Sequence, residues 1–193
     1  DSVFTLLSNN TTRKIEVQNE LFSNTETEVN FMRLTINLCD DESTKTKVNA
    51  QIEEQMQSID KCRQKLDELI SSKIKELDDI KTATINITNS TTNEYHDISK
   101  RDSILEHFQL IHTSCQGLLN NYLSIKKEID EKFEECKNLC KIIVEKNIPE
   151  IEQQIITCIR TKIKNKLDNS KRKLDPIKDK LTSPNGEFPS EIN

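Results

Sequence analysis

The chain has 193 residues, a net charge of −5, 33% hydrophobic and 32% charged residues, only 2 glycines and no tryptophan. Rossmann folds, phosphate loops and β-sandwiches need glycine where the backbone turns sharply or meets a ligand closely, so this composition argues against them. The small mixed charge argues against nucleic-acid binding, and no apolar run approaches the roughly 18 residues that a membrane-spanning helix needs.

Charge sits between regularly spaced Ile, Leu and Phe, which predicts packed helices rather than disorder. Residues 1–11 are short and polar around Val3, Phe4, Leu6 and Leu7. From about Thr12, the residues Ile15, Phe22, Val29 and Ile36 recur every seven positions, with Met32 and Cys39 on the adjoining stripe, and predict a long amphipathic helix. Asp40, Asp41, Glu42, Ser43 and Thr44 break that pattern and offer helix caps. A second helix is predicted from about Thr44 to Ala83, burying Ile52, Met56, Ile59, Cys62, Leu66, Leu69, Ile70, Leu77 and Ile80. The stretch from Thr82 to Asn93, rich in Thr, Asn and Ser, reads as a loop.

A third helix, from about Ile98 to Asn147, carries the stripe Ile104, Phe108, Ile111, Cys115, Leu118, Tyr122, Ile125, Ile129, Phe133, Cys136, Cys140 and Ile143. Pro149 suits the first turn of a fourth helix, whose inner face would be Ile151, Ile155, Ile159, Ile163 and Leu167, ending near Leu174. Pro176, Pro184, Pro189 and Gly186 then mark an irregular tail. The expected fold is all-α, an elongated antiparallel bundle of about four long helices cross-linked by three disulfides. One domain over residues 1–175 and a tail over 176–193 are expected.

Six cysteines without a CxxC pair suit disulfides better than zinc, with buried free thiols as the alternative. Cys136 and Cys140 share a helix face, but no second Cys or His pair matches them. Antiparallel helices set bridge partners at equal heights. With Cys39 taken as zero, Cys62 lies roughly 27 Å down the second helix. Were the second and third helices to meet near Ala83 and Ile98, Cys115 would share that depth and Cys136 would return to the level of Cys39. A reversal at Pro149 would then face Cys140 with Cys158. The predicted pairs are Cys62–Cys115, Cys39–Cys136 and Cys140–Cys158. Disulfides imply an extracellular, secreted protein. Asp1 opens the chain with neither an initiator methionine nor a hydrophobic leader, as a cleaved signal peptide or recombinant production would leave it.

Four N-glycosylation sequons begin at Asn9, Asn10, Asn86 and Asn89, the last two in the predicted polar loop. Between Arg160 and Lys180, the basic residues Arg160, Lys162, Lys164, Lys166, Lys171, Arg172, Lys173, Lys178 and Lys180 outnumber Asp168, Asp175 and Asp179. Arg160, Lys164, Lys171, Arg172 and Lys173 are the candidate anion-binding set, for heparan sulfate, an acidic partner or anionic lipid headgroups. The plainer reading is a solvated face with cations near a helix C-terminus. His96, His107 and His112 adjoin no nucleophile constellation, and the Glu-x-x-His motif of di-iron bundles is missing, so neither catalysis nor a metal or other cofactor is expected.

Scattered cysteines in helices rich in Lys, Glu, Asn and Ile resemble the small, secreted, disulfide-bonded, all-helical salivary proteins of blood-feeding mosquitoes, including the C-terminal domain of aegyptin-like collagen binders and neutrophil-stimulating salivary factors. The resemblance implies a host-directed effector that binds a host or receptor protein and acts on haemostasis or leukocytes. Helical surface and invasion ligands of apicomplexan parasites share the style, and that likeness implies receptor binding from a parasite surface.

Overall fold

The computed structural model describes residues 2–94 and 101–182, with side chains for 5–88 and 105–182. Helix α1 spans Ser2–Thr35 and ends in a 3₁₀ turn at Ile36–Leu38, α2 spans Glu42–Glu94, and α3 spans Arg101–Ile142. A π-helical turn at Ile143–Asn147 leads without a break into α4, Ile148–Thr182. The described residues therefore form three helical rods, the third being α3 and α4 in line.

Ion pairs give the directions of the rods. Arg33 with Glu53 and Arg63 with Glu26 run α1 and α2 antiparallel. Lys73 reaches Glu128 at 2.8 Å, and Cys62, eleven residues earlier on α2, meets Cys136, eight residues later on α3, so α2 and α3 are antiparallel as well. Lys14 pairs with Asp130 and Thr25 meets Cys140, so α1 and α3 run parallel. The turn before α2 is capped as its sequence suggests: Asp41 Oδ2 accepts the Thr44 hydroxyl and, at 2.9 Å, the Thr44 backbone N–H, and these two bonds, the hydroxyl's foremost, hold the Asp41 carboxyl below its usual range.

The heptad residues close the core. Phe22, Val29, Ile36, Cys39, Ile52, Ile59, Leu66, Ile129, Ile143, Ile151 and Ile155 are almost wholly buried. Periodicity in α1 also buries Thr11, Gln18 and Thr25, which lie at seven-residue spacing on the stripe shared with Met32 and Cys39. Apolarity does not signal these three. Thr25 is accommodated because its hydroxyl donates to the Leu21 carbonyl at 2.8 Å.

Four expectations need correction. The helix of α1 begins at Ser2 rather than near Thr12. The Thr82–Asn93 loop is helical, because Ile80, Thr84 and Ile87 continue the packed face, while Thr82 and Thr84 hydroxyls bond to carbonyls four residues back, at 2.9 and 2.8 Å.

At Pro149 the chain runs on instead of reversing, so the fourth antiparallel helix does not exist. The inward stripe Cys140, Ile143, Ile148, Ile151, Ile155 is unbroken, and residues 143–151 contain no glycine to make a tight turn. Proline's ring normally clashes with the carbonyl four residues back; here the preceding turn is widened, with Ile148 N–H donating to the Ile143 carbonyl. Finally, α4 continues through Pro176 to Thr182. The rest of the expected tail, 183–193, lies outside the described residues.

Candidate interaction surface

Midway along α4 the third rod is tied to the turn that follows α1. A disulfide joins Cys39 to Cys158 with their Cα atoms 5.7 Å apart. One turn on, Lys162 Nζ donates to the Leu38 carbonyl at 3.1 Å and to Asp40 Oδ1 at 2.7 Å, and that bond holds the Asp40 carboxyl below its usual range. Asp40, Asp41, Thr161, Lys162, Asn165 and Lys166 line a shallow groove at this base.

Past Lys162 every residue to Thr182 is exposed. Twenty helical residues extend roughly 30 Å. This arm still keeps an apolar stripe: Ile163, Leu167, Leu174, Ile177 and Leu181 are 53–61% exposed. The predicted inner-face residues Ile163 and Leu167 are thus outside the core, since α1 and α2 both reach only to the 39–42 turn and, among the described residues, none covers the apolar stripe of the arm. Of the candidate anion-binding residues, Arg160 precedes the arm, whereas Lys164, Lys171, Arg172 and Lys173 lie along it, all exposed.

Cysteine placement departs from all three predicted pairs. Cys39 bonds Cys158, so neither Cys39–Cys136 nor Cys140–Cys158 forms. Absence of a reversal at Pro149 accounts for this: on one continuous rod Cys140 and Cys158 stand about 27 Å apart. Cys62 and Cys115 are both free, the first buried and the second exposed. The predicted pairing assumed a turn near Ala83. Since α2 runs to Glu94, 32 residues beyond Cys62, the same distance into α3 from Arg101 reaches Phe133, one turn from Cys136. Cys136 Sγ accordingly lies 3.8 Å from the Cys62 carbonyl. Burial, then contact with the Cys62 thiol, push the Cys136 thiol well above its ordinary pKa, and burial likewise raises that of Cys140, which touches Thr25.

Asn9, Asn10 and Asn86 are exposed, the first two on α1 and the third on α2. The side chain of Asn89 and the whole of His96 lie outside the described residues. Asn9 lines a cleft with Asp78 and Lys81, which puts the α1 sequons beside the Asn86 end of α2. From Glu42 to Asn86, α2 rises roughly 66 Å, so these sequons and the arm occupy opposite ends. His107 is half-buried and His112 exposed. Among the described residues no group of three or more His, Cys, Asp or Glu could hold a metal, and no helix is long and apolar enough to cross a membrane. No protein-family model, curated protein or solved structure matches this chain.

Proposed function

We propose that this chain is a secreted, non-enzymatic effector that works by binding another protein, with a host protein of haemostasis or of leukocytes as its target. The observation that carries the reading is the arm of α4, about five turns of exposed helix with apolar residues that fold stability leaves unused. The Cys39–Cys158 disulfide supports an oxidising compartment. Occupied sequons at Asn9, Asn10 or Asn86 would shield the opposite end and leave the arm clear.

In that compartment a further bridge between Cys62 and Cys136 fits this fold best. The Cys62 and Cys136 thiols are hydrogen-bonded to each other. Cys115, 21 residues from Cys136 on the same helix, is roughly 32 Å from either.

A second reading, supported by the lysines of the arm, is an anion binder for heparan sulfate or phospholipid headgroups. Binding of labelled full-length protein to neutrophils and platelets separates the two. Saturable binding lost after mild proteolysis of the cells supports the effector. Binding lost after heparinase, or retained on protein-free anionic vesicles, supports the second reading. No saturable binding to either cell overturns the host-directed reading.

A further inference from the structure

The arm has a stricter pattern than amphipathicity alone. Its stripe runs Ile163, Leu167, Ser170, Leu174, Ile177, Leu181, at alternating spacings of four and three residues. That is a heptad seam with leucine at every a position and Ile, Ser, Ile at d. Each position flanking the seam is lysine: Lys164, Lys171 and Lys178 at e, and Lys166, Lys173 and Lys180 at g. The acidic residues Asp168, Asp175 and Asp179 all fall on outer positions, as do Arg172 and Pro176.

We propose that residues 163–182 dock an acidic amphipathic helix of a partner protein, with apolar residues at its a and d positions and Glu or Asp at e and g. The proposal rests on the protein-binding reading above and names its site and partner class. Charge complementarity selects the occupant. A second copy of this chain would set lysine against lysine along both sides of the seam, in parallel or antiparallel alignment, so self-pairing is disfavoured. An acidic helix turns the same six positions into attraction.

A lipid surface fits the arm less well. Helices that lie in the membrane interface present a broad apolar face, often with Trp or Phe. This stripe has two seam residues in seven, one of them Ser170, and residues 163–182 contain no aromatic. Such a narrow stripe is the form of a helix–helix seam.

The test uses the full chain and three synthetic 21-residue helices. The first has a Leu/Ile seam with Glu at e and g, the second the same seam with Lys at e and g, and the third a Ser seam with Glu at e and g. Fluorescence anisotropy should show the first bound at least about tenfold more tightly than either of the others. The L167S/L174S double variant should lose that binding while keeping its melting temperature, because both residues are exposed.

Equal capture of the Ser-seam helix would overturn the proposal in favour of charge alone. Binding to phosphatidylserine vesicles with no capture of the first helix would overturn it in favour of a membrane. Capture of none of the probes would overturn it outright. Should L167S/L174S bind neutrophils or platelets like the wild type, the arm is overturned as the site while the effector reading survives. Peptide capture without any cell binding would have the converse meaning.

Discussion

Replacing Cys39 and Cys158 together by alanine removes the cross-link between the end of α1 and the third rod. The bridge closes a loop with a sequence separation of 119. Loop-closure entropy for that length contributes about 5 kcal/mol at 25 °C. In a domain of this size each kcal/mol moves the melting temperature by roughly 2–4 °C, so the double variant should melt about 10–20 °C below the wild type. Alanine also removes a buried sulfur at Cys39, and wild-type protein melted in reductant isolates the cross-link from that loss. Circular dichroism at 222 nm reads both melts, and a non-reducing peptide map should recover a Cys39–Cys158 peptide. A fall of less than about 5 °C in both samples would refute the entropy argument, and a map joining Cys39 to Cys136 would refute the continuous third rod.

Native protein treated with a maleimide should label Cys115 alone among the four free cysteines, since Cys62, Cys136 and Cys140 are buried and burial holds Cys136 and Cys140 in the thiol form; fast labelling of Cys136 would contradict that packing. Phe22→Ala should cost about 3–5 kcal/mol in urea unfolding, whereas Phe108→Ala, at a position 52% exposed, should cost well under half as much. The Glu128 carboxyl is held below its ordinary pKa by a hydrogen bond from Lys73. Its contribution to stability is present above the unfolded-state value near 4.5 and is lost as pH falls through the lower folded value. Glu128→Gln should therefore flatten the acid limb of the stability profile below about pH 4.5 and leave the slope above it unchanged. An unaltered acid limb would show that the ion pair is open in solution.

Much of the local structure is legible in the residues themselves. Phe22, Val29 and Ile36 at seven-residue spacing name the buried face of α1, and Ile52, Ile59 and Leu66 do the same for α2. The cluster Asp40 to Thr44 marks the capped turn between them, and the structure selects Asp41 as the cap. Each of these rests on interactions within a few turns, and helical periodicity reports such interactions directly. Polar residues on the same stripe are harder to see. Thr25 and Gln18 are buried by position rather than by hydrophobicity, and the Thr82–Thr88 run is helical because Ile80 and Ile87 pack and the threonine hydroxyls bond within the helix.

Which helix ends meet is a different kind of question. The sequence determines by itself that this protein is all-helical, where its apolar stripes lie, and that six lysines flank the last of them. Tertiary structure decides that α2 runs to Glu94, that Pro149 sits in a continuous rod, and that Cys158 consequently reaches Cys39. Moving the end of α2 from Ala83 to Glu94 and the start of α3 from Ile98 to Arg101 shifts every facing position by fourteen residues, about 21 Å, and periodicity is blind to such a shift because a stripe reads the same at any height. For the same reason sequence assigns Ile163 and Leu167 to the core. Only the end of α1 and the start of α2, both at the 39–42 turn, leave those residues uncovered among the described ones and turn a core stripe into an exposed seam.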